Sequence, residues 1–110
     1  MSGDDARVLD RLFATVEARR GADPDTSYTA RLLAKGPAAV AKKVGEEAVE
    51  TVLEAALARP DRVAAESADL LYHLVVLWAA CGIRPDDVWT ALAAREGRSG
   101  IAEKAARPPE

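Results

Sequence analysis

Glu66-Ser67-Ala68-Asp69-Leu70-Leu71-Tyr72-His73-Leu74-Val75-Val76-Leu77-Trp78-Ala79-Ala80-Cys81 is the stretch that decides the fold. It holds no Gly, no Pro and no polar–apolar alternation, so it reads as helix and not as strand. From Leu70 to Trp78 the apolar side chains cover nearly every direction around the axis, and such a helix has to be surrounded. Yet Glu66, Asp69 and His73 fall within roughly 60° of one another at ~100° per residue. The longest apolar run, Leu70 to Ile83, is broken by His73 and Gly82 and is too short to cross a bilayer.

Working outward, Gly82 is the stop of this helix and Arg59-Pro60-Asp61 the corner before it. A helix upstream runs from Pro37, at its first turn, to about Ala58. Ser27 caps a short helix through Leu33, ended by Lys35-Gly36-Pro37. The first helix spans about Ala6 to Arg20, with Val8, Leu9, Leu12, Phe13 and Val16 on one face, and Gly21-Ala22-Asp23-Pro24-Asp25 breaks it. Arg84-Pro85-Asp86-Asp87 opens a fifth helix that reaches Glu96. Residues 1–5 and 98–110 are expected to be flexible or loosely packed, the latter a loose tail or a short helix. The fold class is all-α, a bundle of about four to five helices in a single domain covering 1–110. So small a core leaves much apolar surface open, and the economical remedy is a homodimer that shares it, with Trp78 and Trp89 as core or dimer contacts.

Composition narrows the function classes. With 15 basic residues against 18 acidic and a net charge of -3, no basic face invites nucleic acid. A single Cys, Cys81, rules out an intrachain disulfide and a cysteine-rich zinc site. The first residues lack the basic and apolar regions of a signal peptide, so a cytoplasmic protein with no membrane partner is expected.

The chemistry lies in the carboxylates. Glu46, Glu47, Glu50 and Glu54 share a sector of roughly 100° on the third helix. Acidic runs are usually solvated faces, and four like charges within two turns repel. The fourth helix changes the balance, because Glu66 and Asp69 stand on a segment too apolar for solvation, with no Lys or Arg from Val63 to Ile83. Antiparallel packing across the corner brings Glu47 and Glu50 opposite Glu66 and Asp69, although the positions are not equidistant from Arg59-Pro60-Asp61. Four carboxylates with little countercharge suit a hard divalent cation, Mg²⁺ or alternatively Mn²⁺. Other enzyme classes fit poorly: there is no Walker A loop, and one His serves neither a di-iron bundle nor a Ser- or Cys-based triad.

Glu46-Glu47-x-x-Glu50 followed by Glu66-x-x-Asp69 resembles the motif of the all-α nucleoside triphosphate pyrophosphohydrolases, the MazG and dimeric dUTPase superfamily. Within it, Ser27–Gly36, Lys42–Thr51, Glu66–Leu74 and Arg95–Lys104 are similar, in order, to segments of the phosphoribosyl-ATP pyrophosphohydrolase family. The resemblance covers about residues 7 to 107. It implies a Mg²⁺-dependent homodimer that hydrolyses phosphoribosyl-ATP between its α- and β-phosphates, giving phosphoribosyl-AMP and pyrophosphate, the second step of histidine biosynthesis. It also implies that Glu47, Glu50, Glu66 and Asp69 bind the metal. Glu46 and Glu47 are the catalytic candidates, Glu46 as an extra ligand, a water-orienting base or a partner behind the ligands. Lys35, Lys42 and Lys43 are candidates for the phosphates, as is the Arg95–Arg98 region, and Tyr28 for the base or ribose. A lone His among apolar neighbours, as His73 is, is more often a satisfied interior residue. Two alternatives stand beside this reading: a house-cleaning pyrophosphohydrolase of ordinary or damaged nucleotides, and a non-catalytic helical dimerisation module.

Overall fold

The computed structural model of the chain describes residues 4–108, and its ordered elements are helices: α1 (Val8–Ala18), α2 (Tyr28–Lys35), α3 (Pro37–Ala56), α4 (Pro60–Cys81), α5 (Pro85–Ala93) and α6 (Gly100–Ala105). The first five are those the sequence predicts. The short α6 lies in the segment expected as a tail or short helix, so the count is six among the described residues. Met1–Gly3 and Pro109–Glu110, part of the expected loose ends, lie outside them.

Local signals fix most of the boundaries. The Ser27 hydroxyl accepts from the Ala30 N–H at 3.1 Å and caps α2. Gly36, at φ 90°, turns the chain directly into Pro37, the first residue of α3. Gly82, at φ 73°, ends α4, and the Ile83 N–H returns to the Trp78 carbonyl at 2.8 Å, closing a Schellman-type turn. Each preference costs little by itself and points the same way as the apolar pattern.

The corner between α3 and α4 differs from the reading of the sequence. Helix α3 stops at Ala56, not Ala58, and Pro60 already belongs to α4, so Leu57-Ala58-Arg59 makes the turn. Ala58 is the one described non-glycine residue with positive φ, at 54°. The Arg59 N–H reaches back to the Glu54 carbonyl at 3.1 Å. The pivot is therefore Ala58. Glu50 and Glu66 each lie eight residues from it, and Glu47 and Asp69 each eleven. The mismatch expected from a corner at Arg59-Pro60-Asp61 vanishes.

Helices α3 and α4 form the most extensive pairing of the fold, with α1 and α2 packed on α4. The core sits at the end of this hairpin remote from Ala58: Val16, Leu32, Val40, Val75, Val76 and Ala79 are buried there, with Leu12, Phe13 and Trp78 against them. Arg20 ties α1 to the C-terminal end of α4 by donating to the Ala79 carbonyl at 2.7 Å. Trp78 and Trp89 meet edge to face at 5.9 Å, joining α5 to α4. Helix α4, at 22 residues and with an 18-residue window of mean hydropathy 1.3, is long and apolar enough to span a membrane by those measures, longer than its apolar run suggested. Here it is the central helix against which α1, α2 and α3 pack.

A left-handed alanine is strained by roughly 1–2 kcal/mol, part of which glycine returns to the unfolded chain as entropy. Ala58→Gly is therefore expected to stabilise the protein by about 0.5–1 kcal/mol, read as a higher midpoint in urea; a lower midpoint would contradict the strained corner.

Candidate metal centre

The hairpin presents its acids where the core gives out. Glu47 is the one buried acid among the described residues, at 8% exposure, Glu66 is half-buried and Asp69 is exposed. Carboxylate oxygens of Glu47, Glu66 and Asp69 come within 4.8 Å of one another. Oε2 of Glu47 and Oε2 of Glu66 are both buried without a hydrogen-bond partner. Buried polar atoms are ordinarily satisfied, so two orphaned carboxylate oxygens on residues of one acidic cluster are consistent with a ligand site.

Electrostatics agree. The Glu66 carboxyl is held above the ordinary carboxylate range, chiefly by desolvation, then by hydrogen bonding to Glu50 and by the charges of Glu50, Asp69 and Glu47. Glu50 thus lies close to Glu66, so three of the four residues expected around a metal share one cluster and the fourth stands beside it. An all-oxygen donor set of this kind can hold a divalent cation.

The remaining candidates sort by direction. Lys43 stands over the acids, with Nζ 3.3 Å from Glu46 and 3.9 Å from Glu47. Its pKa is raised by the hydrogen bond to Glu46, then by Tyr28 and the acid charges. Glu46 itself is exposed and lies outside the three-carboxylate cluster. Lys42, which has no ion pair to the acids among the described residues, lines an open groove of about 690 Å³ with Gly45, Glu46, Val49 and Glu50. Lys35 ends α2, about 10 Å along the axis from Tyr28, and among the described residues no ion pair or hydrogen bond ties it to the acids. Glu54, fourth acid of the α3 sector, leaves the cluster for Arg59 at 3.7 Å. Arg95 and Arg98 line a separate apolar hollow with Val88 and Leu92.

A polar network beside the cluster escapes the reading of the sequence. Tyr28 and His73 are 3.0 Å apart, and the next residues along, Thr29 and Tyr72, pair through their hydroxyls. His73 is 5% exposed and doubly hydrogen-bonded, the satisfied interior residue expected. The adjacency Tyr72-His73, one turn past Asp69, was visible; its partners in α2 depend on tertiary packing.

Across residues 9–96 the chain matches the family profile described as phosphoribosyl-ATP pyrophosphohydrolase. It is 66% identical to the phosphoribosyl-ATP pyrophosphatase of Azospirillum brasilense, over 93% of this chain and 92% of that protein. The protein of that name from Caulobacter sp. (strain K31) is 62% identical over 92% of this chain and 94% of its own length. The one from Parvibaculum lavamentivorans is 59% identical over 94% of each.

Folding raises the Glu66 pKa, so its contribution to stability is present below the ordinary carboxylate range and is lost as pH rises through the raised value. The metal-free protein is therefore expected to lose stability over that interval, and Glu66→Gln to lose less. The same variant should forfeit the stabilisation by added Mg²⁺ or Mn²⁺, about 2.7 kcal/mol at a hundred times Kd for a site bound only when folded. Denaturant titrations with and without the ion check both; a variant destabilised without metal and still stabilised by it would contradict the site.

Proposed function

Because this chain belongs to the phosphoribosyl-ATP pyrophosphohydrolase family, we propose that it hydrolyses phosphoribosyl-ATP between the α- and β-phosphates, with Mg²⁺ bound by Glu47, Glu50, Glu66 and Asp69, as a single-domain cytoplasmic homodimer. The chain is a hydrolase of histidine biosynthesis, and the non-catalytic helical module is thereby set aside. The observation that carries the metal-dependent reading is the meeting of Glu47, Glu66 and Asp69 oxygens within 4.8 Å, in a cluster where Glu47 and Glu66 each have a buried, partnerless oxygen.

The residues divide the work as phosphoanhydride hydrolysis demands. Water attacks the α-phosphorus, the bond to the bridging oxygen breaks, and pyrophosphate leaves with that oxygen. A bound divalent cation supplies charge neutralisation on the phosphates and a more acidic water. Carboxylates cannot approach a triphosphate unaided, which is why Glu47, Glu50, Glu66 and Asp69 serve the substrate only through a cation. Glu46 is exposed beside them and outside the cluster, so it is the carboxylate available to take the proton of the attacking water, with Glu47 next to it as ligand and orienting group. Lys43, held over both acids, is the first ammonium an arriving phosphate meets. Lys42 and Lys35 serve phosphates farther from the reacting bond, and Tyr28 the sugar or base.

The homodimer rests on surface that one subunit leaves uncovered. Val49, Val52 and Leu53 on α3 and Leu57 just past its end follow helical spacing and are 58%, 65%, 55% and 58% exposed. The subunit exposes 7708 Å², against about 5,900 Å² expected for a folded monomer of its mass. An apolar stripe with that excess supports the homodimer reading.

Pyrophosphate release from phosphoribosyl-ATP with Mg²⁺, abolished by EDTA and absent with ATP, dATP and dUTP, is the expected result. Glu50→Gln and Asp69→Asn should each cut turnover at least about a hundredfold while leaving the elution volume unchanged. Near-normal turnover by both variants, or release from the ordinary nucleotides instead, would refute the reading. Separately, Val52→Glu combined with Leu53→Glu is expected to shift the native mass toward one 11.7 kDa subunit in sedimentation; an unshifted mass would refute the α3 interface.

A further inference from the structure

The contacts of His73 fix the direction of each proton in a short chain leading from α4 toward the carboxylate cluster. Its Nδ1 lies 2.7 Å from the main-chain oxygen of Asp69. A carbonyl oxygen only accepts, so Nδ1 carries the proton. In the neutral imidazole Nε2 is then a bare acceptor, and the group 3.0 Å from it is the Tyr28 hydroxyl, which donates. The ring has little freedom to turn over: it is 5% exposed and boxed by Tyr28 at 5.9 Å and Tyr72 at 5.0 Å, both edge to face. Tyr72 pairs with Thr29, so two consecutive residues at the start of α2 are tied to two consecutive residues of α4.

With its one proton committed inward, Tyr28 has only lone pairs left to offer. The residue is 45% exposed, and its phenol lies near enough to Lys43, Tyr72, Glu47 and Glu46 to feel their charges. Burial, the largest influence, raises the phenol pKa against the opposing pull of Lys43, which keeps the proton on the oxygen at neutral pH.

We propose that His73 is a positioning residue that makes Tyr28 a one-way hydrogen-bond acceptor at the edge of the carboxylate cluster, and that Tyr28 takes a hydrogen bond from a hydroxyl or amino donor on the sugar or base of the bound nucleotide. Phosphate oxygens accept only and cannot make this bond. Tyr28 therefore selects which end of the nucleotide lies beside it, and the triphosphate is directed to the cation and lysine side. This rests on the substrate reading above.

The chain's single His gives one pair of imidazole nitrogen signals. At pH 8, where an imidazole is ordinarily neutral, ¹⁵N spectra are expected to show a protonated Nδ1 and a hydrogen-bonded, unprotonated Nε2. A proton on Nε2 instead would overturn the proposal. Tyr28→Phe should move the Nε2 signal toward that of a free ring nitrogen and leave Nδ1 protonated; an unmoved Nε2 would overturn it too. With phosphoribosyl-ATP, Tyr28→Phe should raise KM about tenfold, the scale of one hydrogen bond, with kcat held within about threefold. His73→Leu should raise KM likewise, His73→Gln should restore it by keeping an acceptor for Tyr28, and the double variant with Tyr28→Phe should be no worse than Tyr28→Phe by itself. An unchanged KM in Tyr28→Phe refutes the nucleotide contact even where the buried His73 variants fold poorly. A wild-type protein inert toward phosphoribosyl-ATP refutes the substrate reading, and the imidazole signals then still decide the His73–Tyr28 arrangement.

Discussion

Mutual repulsion among Glu47, Glu50, Glu66 and Asp69 is what the α3–α4 hairpin has to overcome. No Lys or Arg follows Arg62 on α4 to relieve it, and Lys43 is the cation that leans over the group from α3. The acids stay together because the helices are zipped on one side of them and pivoted on the other. On the core side Val40, Val75 and Val76 are fully buried, each worth about 1.5–3 kcal/mol. At the pivot, the Ala58 turn fixes the register that sets 50 against 66 and 47 against 69. A cation at the shared oxygens would convert the repulsion into attraction, and binding to the folded chain alone would stabilise it.

The position of the acids along the hairpin follows from where the core ends. Placed deeper, among Val40 and Val76, they would be neutralised by protonation. Placed at the Ala58 end they would be solvated and indifferent to metal. At the boundary they are half-desolvated, which accounts for the raised Glu66 pKa, the orphaned Oε2 atoms and the gradient from buried Glu47 to exposed Asp69. The uncovered apolar stripe of α3 runs through the same half of the hairpin. The partner proposed for it would complete the burial that one subunit leaves unfinished.

Much of this was legible in the sequence, and the exceptions have identifiable physical causes. Ser27, Pro37 and Gly82 announce helix ends because each satisfies or removes a backbone group locally. The carboxylate set is legible from spacing, because three- and four-residue steps share a helix face. The corner was misplaced by two residues because Arg59-Pro60-Asp61 carries strong turn chemistry, whereas an alanine driven to positive φ carries none. Lys42 and Lys43 look equivalent as neighbours, yet about 100° of rotation sends one over the acids and the other to the groove. Glu54 shares the acidic sector but finds Arg59 only because of how the corner closes. What sequence left open was the backbone geometry of the corner and the partners that packing brings to each side chain.

The Tyr28–His73 link shows how such a gap can shape chemistry. The acids and their register belong to α3 and α4, but a nucleotide also needs its uncharged end oriented, and α2 contributes that side. A surface tyrosine left free could donate to a phosphate as readily as accept from a hydroxyl, and would orient nothing. Borrowing the main-chain oxygen of Asp69 to set the imidazole, and the imidazole to claim the phenol proton, removes that ambiguity without a charge. On the proposed reading the same helix turn would offer its Asp69 side chain to a cation, while its Asp69 carbonyl sets the imidazole that orients the nucleotide's uncharged end.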